Sequence, residues 1–377
     1  MNTNKSTVKT IKNITVVTTK VSNKTIQGGE VTRDFLIKEW KKMGVNVFIF
    51  YTPAVLKKFT FFEALKGTLK ALFSKLNYNI SNQSILVSFS PYPFDAITAI
   101  RLSKKFRVPC TVYFYHITPD IRFHAFRRGI FRVILNRLYF RFIIKVIQHY
   151  RIPIFLDNPN TGKGLKVKVY PLLIALKDVK NISNTSDKKY DISYVGRLEN
   201  HKGVEDIIDV LNVLKNKYNI DAKAVLVGTG NEKYVKKLNK KIKKYNLGGN
   251  ITFTGFVKEE EKWRVLSESK AFLFLSYEEG WAISVMEAAS LGLPVVAYDL
   301  PAYYYLKGNF FKVNPGDIKA AAEKMTYILN NYKYALDIGN KAKEMVDKFN
   351  QELIARQQLI FYKRIIEDYN RYKNEKG

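Results

Sequence analysis

The chain has 377 residues, 46% of them hydrophobic, and carries 63 lysines and arginines against 33 acids, a net charge of +30. That length is too great for one core and predicts two domains, while the charge predicts an anionic partner: nucleic acid, an acidic membrane face or a phosphorylated substrate. One cysteine, Cys110, excludes a disulfide within the chain and a thiolate metal cluster.

Ile14–Thr18 reads as a first strand. The loop after it holds Gly28-Gly29-Glu30, and Val31–Lys42 follows as an amphipathic helix ended by Gly44. Val45–Phe50 is the next strand, so the chain opens as a βαβ unit with a glycine pair in its first crossover. Ile85–Phe89 is a strand, Asp95–Phe106 a helix, Pro109–Tyr115 a strand and Ile152–Leu156 another. After the polar stretch Asn181–Lys189 a second series starts. Tyr190–Val195 is a strand ending in Gly196-Arg197, and Val204–Lys217 is a helix. Ala222–Val227 is a strand ending in Gly228-Thr229-Gly230, and Glu232–Tyr245 is a helix. Ile251–Phe253 is strand-like, Glu259–Ser267 helical and Ala271–Leu275 a strand. Ala288–Pro294 reads as a short helix stopped by a glycine and a proline. Val295–Tyr298, Ile318–Asn330 and the long basic helix Gln351–Tyr369 complete the chain. The expected class is α/β with two parallel-sheet domains. The expected divisions are 1–175, 176–345 and a C-terminal helix, 346–377, packing back on the first domain.

Two segments mix cations with large apolar residues. Ala54–Tyr78 alternates Lys57, Lys58, Lys66, Lys70 and Lys75 with phenylalanines and leucines. Ile121–Arg151 does the same with Arg122, Arg127, Arg128, Arg132, Arg137, Arg141 and Lys145. Both read as basic helices able to lie in a membrane interface. The competing reading is that their apolar faces pack against the sheet. No zinc-finger spacing or RNA-recognition strand supports specific nucleic-acid binding. The polar Met1–Thr10 does not resemble a signal peptide. No stretch of eighteen uncharged apolar residues predicts a spanning helix. The expected location is cytoplasmic, peripheral at the inner membrane face.

The most informative stretch is Glu279-Gly280-Trp281-Ala282-Ile283-Ser284-Val285-Met286-Glu287. Two acids flank a glycine-bearing turn between a strand and a helix. Such a turn aims open backbone N–H groups at an anion above it. An anion site with a carboxylate on each side fits a sugar nucleotide: amides hold the diphosphate, and acids hold hydroxyls.

With Gly196-Arg197, Lys202-Gly203, Val227-Gly228-Thr229-Gly230, Gly255-Phe256-Val257, Glu279-Gly280-Trp281 and Glu287-Ala288 in this order, the chain resembles the retaining GT-B glycosyltransferases of family 4. Gly292-Leu293-Pro294-Val295-Val296-Ala297 extends the match, which covers roughly residues 190–300. The resemblance implies a GT-B fold of two Rossmann-like domains facing across a cleft, with the donor held by the second. It assigns His116, Arg197, Lys202 and Glu279 to catalysis. Gly28, Gly29, Gly196, Gly230, Gly280, Trp281, Ala282 and Glu287, with Arg197 and Lys202, would bind the donor. Glu287 is similar to the glutamate that holds the ribose, and His116 to the histidine beside the donor sugar. Arg197 and Lys202 would neutralise the diphosphate, so no metal or other cofactor is expected. The implied partners are a nucleotide-diphosphate sugar and a hydroxyl acceptor. The basic aromatic segments point to a lipid-linked acceptor at an anionic membrane surface. A soluble acceptor, or a noncatalytic nucleotide-sugar or nucleic-acid binding role, are the competing readings.

Overall fold

A computed structural model describes residues 11–21, 28–56, 61–73, 84–90, 92–114, 130–156, 162, 164–176 and 185–375. They form two compact units. Of the described residues, the first holds those up to Phe114, Leu135–Ala175 and those from Phe349; the second holds Ile130–Ile134 and Leu176–Lys348.

The first unit is built on β1 (Asn13–Val21), β2 (Asn46–Leu56), β3 (Ser84–Ser88), β4 (Cys110–Phe114), β5 (Ile154–Leu156) and β6 (Val169–Pro171). All pair in parallel, in the order β2-β1-β3-β4-β5-β6. Val16 sits beside Ile49 on one side and Val87 on the other. Runs such as Ile85-Leu86-Val87 are fully buried, as expected of strands covered on both faces. The crossover helices are α1 (Gly28–Lys42), α2 (Phe61–Phe73), α3 (Pro93–Phe106) and α4 (Ile130–His149). Two boundaries in particular differ from the sequence reading. Helix α1 begins at Gly28, not Val31, so the glycine pair opens the helix instead of lying in the loop before it. Strand β2 runs six residues past Phe50, where Val55 and Leu56 pair with Lys20 and Val21 of β1.

The second unit has β7 (Tyr190–Val195), β8 (Ala224–Val227), β9 (Ile251–Gly255), β10 (Ser269–Phe274), β11 (Val295–Tyr298) and β12 (Phe311–Val313). Their order is β12-β11-β10-β7-β8-β9, again parallel. Its helices are α5 (Val204–Tyr218), α6 (Glu232–Lys244), α7 (Glu259–Ser267), α8 (Ile283–Ser290), α9 (Ile318–Asn330) and α10 (Tyr332–Val346). Helix α5 shows how the sequence dictates the packing. Ile207, Ile208, Leu211 and Leu214 recur at helical spacing and are all buried, while Lys215 and Lys217 close its last turn.

The last helix, α11 (Gln351–Asn374), completes the first unit. The Trp40 indole N–H donates to the Ala355 carbonyl at 3.1 Å, and the Tyr113 hydroxyl donates to Gln358 at 2.8 Å. Tyr362 packs edge-on against Trp40 and Phe155. No described helix is long and apolar enough to cross a membrane.

A polar knot ties the C-terminal ends of β1 and β2 to the start of α3. Thr19 donates to Asp95 at 2.6 Å and Ser90 donates to its other oxygen at 2.7 Å, while Thr19 also meets Thr52. Burial pushes the Asp95 carboxyl up to about 7; the Thr19 and Ser90 hydrogen bonds and Arg33 oppose this without cancelling it. Between the unfolded value near 4 and the folded value near 7, the folded chain holds a proton that the unfolded chain has lost. Stability contributed by this group therefore falls as pH rises through that window. Asp95→Asn is expected to flatten that slope, read as melting temperature against pH from 4 to 8.

Candidate functional site

The second sheet changes direction at β7. Its neighbours are β8 on one side and β10 on the other. In open parallel sheets the loops at such a point leave a crevice beyond the strand ends. The two loops there are Gly196–Gly203, after β7, and Leu275–Ala282, after β10.

Glycine makes their close approach possible. A Cβ on Gly203, which has φ +68°, would lie 1.8 Å from the Leu275 carbonyl oxygen, and one on Gly228 would lie 1.9 Å from that of Gly196. Only a residue without a side chain fits either place. Gly230 is packed as tightly, its position bridged to Leu198. The Tyr277 N–H donates to the His201 carbonyl at 2.9 Å, sewing one loop to the other. Beneath them the hydroxyls of Tyr277 and Tyr298 both donate to Asp206 in the first turn of α5, Tyr298 at 2.6 Å. Burial first, and then the Asp206 charge, hold Tyr298 well above the usual tyrosine range, so it stays neutral as a donor.

This scaffold brings Lys202 and Glu279 together. The ammonium lies 2.6 Å from Glu279 Oε1, with the side chains 15% and 9% exposed. Tyr194, Tyr303 and Tyr305 surround the carboxylate; burial first and its charge second raise all three. Glu279 therefore sits in a weakly screened setting where charge interactions are strong. Arg197 is different. It is 66% exposed and pairs with Glu199 at 2.6 Å, while its own carbonyl accepts from the Tyr194 hydroxyl. Glu199 also approaches His201 Nδ1 at 3.3 Å.

The helix after the acidic turn starts at Ile283 and not at the residue before it. The reason is Ala282. It adopts φ 52° and ψ 69°, a left-handed conformation uncommon for alanine, and turns the chain into the helix with no described side chain as cap. The first N–H groups of α8 thus have no partner within the helix. Trp281 is buried. It stacks on Tyr305 at 5.1 Å and meets Tyr304 edge-on, so its ring belongs to the wall. What Gly280, Trp281 and Ala282 can offer a ligand is backbone.

Glu287 lies in the second turn of α8. Its Oε1 is 2.6 Å from Lys262 Nζ, and that ammonium also holds Glu259 at 2.8 Å. Burial alone would pull the Lys262 pKa down; Glu287 and Glu259 outweigh it and raise it. Sequence reasoning missed Lys262. A signal was present: one lysine stands directly after Glu259-Glu260-Glu261, in a short helix between two site strands. Of the other expected residues, Gly196 and Gly230 line the tight loops just described. Gly28 and Gly29 open α1 in the first unit. His116 lies outside the described residues.

Two parallel-sheet units, with convergent loops at the switch point of the second, define the GT-B class of fold. Residues 177–345 match the family model described as Glycosyl transferases group 1. These residues therefore form a domain of that glycosyltransferase superfamily. The uncharacterized glycosyltransferase MJ1059 of Methanocaldococcus jannaschii is 26% identical over 63% of this chain and 60% of its own length. The O-antigen chain mannosyltransferase RfbU of Salmonella typhimurium is 25% identical over 74% of this chain and 87% of its own. Among solved structures, sucrose-phosphate synthase from Thermosynechococcus elongatus superposes with a TM-score of 0.73 at 16% identity, over 95% of this chain and 100% of that one. HepE of Anabaena, solved with UDP and glucose, gives 0.66 at 15% identity, over 94% and 100%. These likenesses establish the fold.

Proposed function

We propose that the chain transfers a hexose from a nucleotide-diphosphate sugar to a hydroxyl, keeping the anomeric configuration, and that its acceptor is lipid-linked. The observation that carries this reading is the half-buried Lys202–Glu279 pair beside the uncapped start of α8. A pyrophosphate over the amides of Gly280–Ala282 would meet the dipole of α8 and the Lys202 charge together. Arg197, exposed on a loop, can swing onto the same anion. Glu287 would accept from the ribose diol, and Glu279 would face the transferred sugar.

In the reaction the bond from the anomeric carbon to the diphosphate oxygen breaks, and its electron pair stays on the phosphate. Lys202 and Arg197 stabilise that growing charge. The acceptor oxygen bonds to the anomeric carbon from the same face. Its proton passes to the departing phosphate oxygen, so no protein base is needed. On this reading the two cations supply the charge that a divalent ion would otherwise supply. The lipid-linked acceptor is supported by a relative from Campylobacter jejuni, 26% identical over 55% of this chain and 54% of its own length, whose name specifies a diphospho-undecaprenol acceptor and an N-acetylgalactosamine donor group.

A screen of nucleotide sugars by thermal shift tests the donor site. One donor, at about a hundred times its Kd, should stabilise the parent by roughly 2.7 kcal/mol and leave Glu287→Ala nearly unmoved. Release of nucleoside diphosphate on adding a polyprenyl-diphosphate glycan then establishes transfer, and the product anomer establishes retention. Release with a water-soluble glycan alone makes the acceptor soluble. Donor binding without any release makes the chain a binding protein.

A further inference from the structure

Helix α2 is turned inside out. Leu65, Leu69, Leu72 and Phe73 share one arc of it, and all four are exposed, Phe73 at 81%. Its small residues Gly67, Thr68 and Ala71 form the inward arc and are buried. An amphipathic helix of a water-facing surface places its large apolar residues the other way round. Hence the core is not what this face is shaped for.

Helix α4 repeats the feature beside it. Leu138, 58% exposed, and Phe142 stand one turn apart and face outward. Arg137, Arg141 and Lys145 are exposed on the same side, and Ile130–His149 contains no acidic residue. The two helices are neighbours: Tyr139 of α4 lies beside Thr68 of α2 and against the ring of Tyr92, which packs on Ala71 and Phe94. Lys66 and Lys70 border the apolar arc of α2. One flank of the first unit thus presents six large apolar side chains among five exposed cations.

We propose that this flank docks on an anionic lipid bilayer, with the leucines and phenylalanines of α2 and α4 below the phosphates and the five cations upon them. Charge selects this occupant. A second copy would set five cations against five, in a chain of net charge +30, and like charges across an interface oppose association. An anionic surface satisfies both the apolar arc and its basic border. The proposal deepens the lipid-linked acceptor reading, yet its test needs neither donor nor acceptor.

The full chain is floated with vesicles of phosphatidylcholine alone or with phosphatidylglycerol added. Binding is expected only with the anionic lipid and should weaken at high salt. The exposed pair Leu69→Glu and Phe73→Glu should lower the bound fraction about tenfold or more, with the melting temperature unchanged. Lys66→Glu with Lys70→Glu should do the same. Failure of the parent to float, or unchanged flotation of both variants, overturns the proposal. So does light scattering that shows a parent dimer broken by Leu69→Glu and Phe73→Glu, since a second copy would then cover the face. A parent that floats but releases no nucleoside diphosphate leaves the surface standing and removes the reaction.

Discussion

Lys202→Ala is expected to lower kcat by about a hundred- to a thousandfold, the scale set by removing one preorganised charge stabiliser from a dry site. Lysine has three N–H donors and no acceptor. It can keep Glu279 at 2.6 Å and still offer a proton to a phosphate oxygen. Alanine removes both contacts and leaves Glu279, only 9% exposed, without its cation. Loss of one partner from such a pair costs up to about 3–5 kcal/mol, so part of the loss could come from misfolding. The double variant Lys202→Ala with Glu279→Gln separates the effects. It removes the stranded charge and should recover most of the melting temperature while remaining inactive. Single-turnover kinetics at saturating donor provide the readout. Near-parent turnover in folded Lys202→Ala would end the view that this ammonium meets leaving-group charge.

Lys262→Met should act on affinity instead. Lys262 holds Oε1 of Glu287, whose side chain is only 11% exposed. Without the ammonium the glutamate loses the partner of a largely buried charge and, with it, its fixed orientation. Titration calorimetry with the nucleoside diphosphate is expected to show Kd rising ten- to a hundredfold, about 1.4–2.8 kcal/mol, with kcat at saturating donor near that of the parent. Glu287→Gln combined with Lys262→Met should weaken binding little more than either alone, because the two act as one unit. Equal Kd values for parent and Lys262→Met would reduce the pair to a structural tie.

The alternation of strands and helices was legible because each long element carries its own pattern. Ile14–Thr18 and Val295–Tyr298 are continuous β-formers, and α5 repeats aliphatic residues at helical spacing. The three-residue strands β6 and β12 are too short to show a period, and they went unread. So did α10, whose buried side is made of Ala335, Gly339 and Ala342, residues too small to mark an apolar stripe. The left-handed conformation of Ala282 was not legible, since such a turn is expected at glycine or asparagine. In the site, the motifs brought Lys202 and Glu279 to attention, but 77 residues separate them and only the fold makes them touch. Lys262 reads locally as the partner of Glu259; that it also reaches Glu287 depends on how α7 is laid against α8. The apolar arc of α2 was visible too. Which way it faces was not, because Gly67 and Ala71 carry no outward sign of being the packing side.

The return of α11 to the first unit sets an order of assembly. Trp40 and Tyr113 emerge from the ribosome 315 and 245 residues before the groups that receive their hydrogen bonds, in Ala355 and Gln358. The first half of the chain must wait, with those side chains uncovered, while the second half is synthesised and can already close its own sheet. The unit encoded first is finished last.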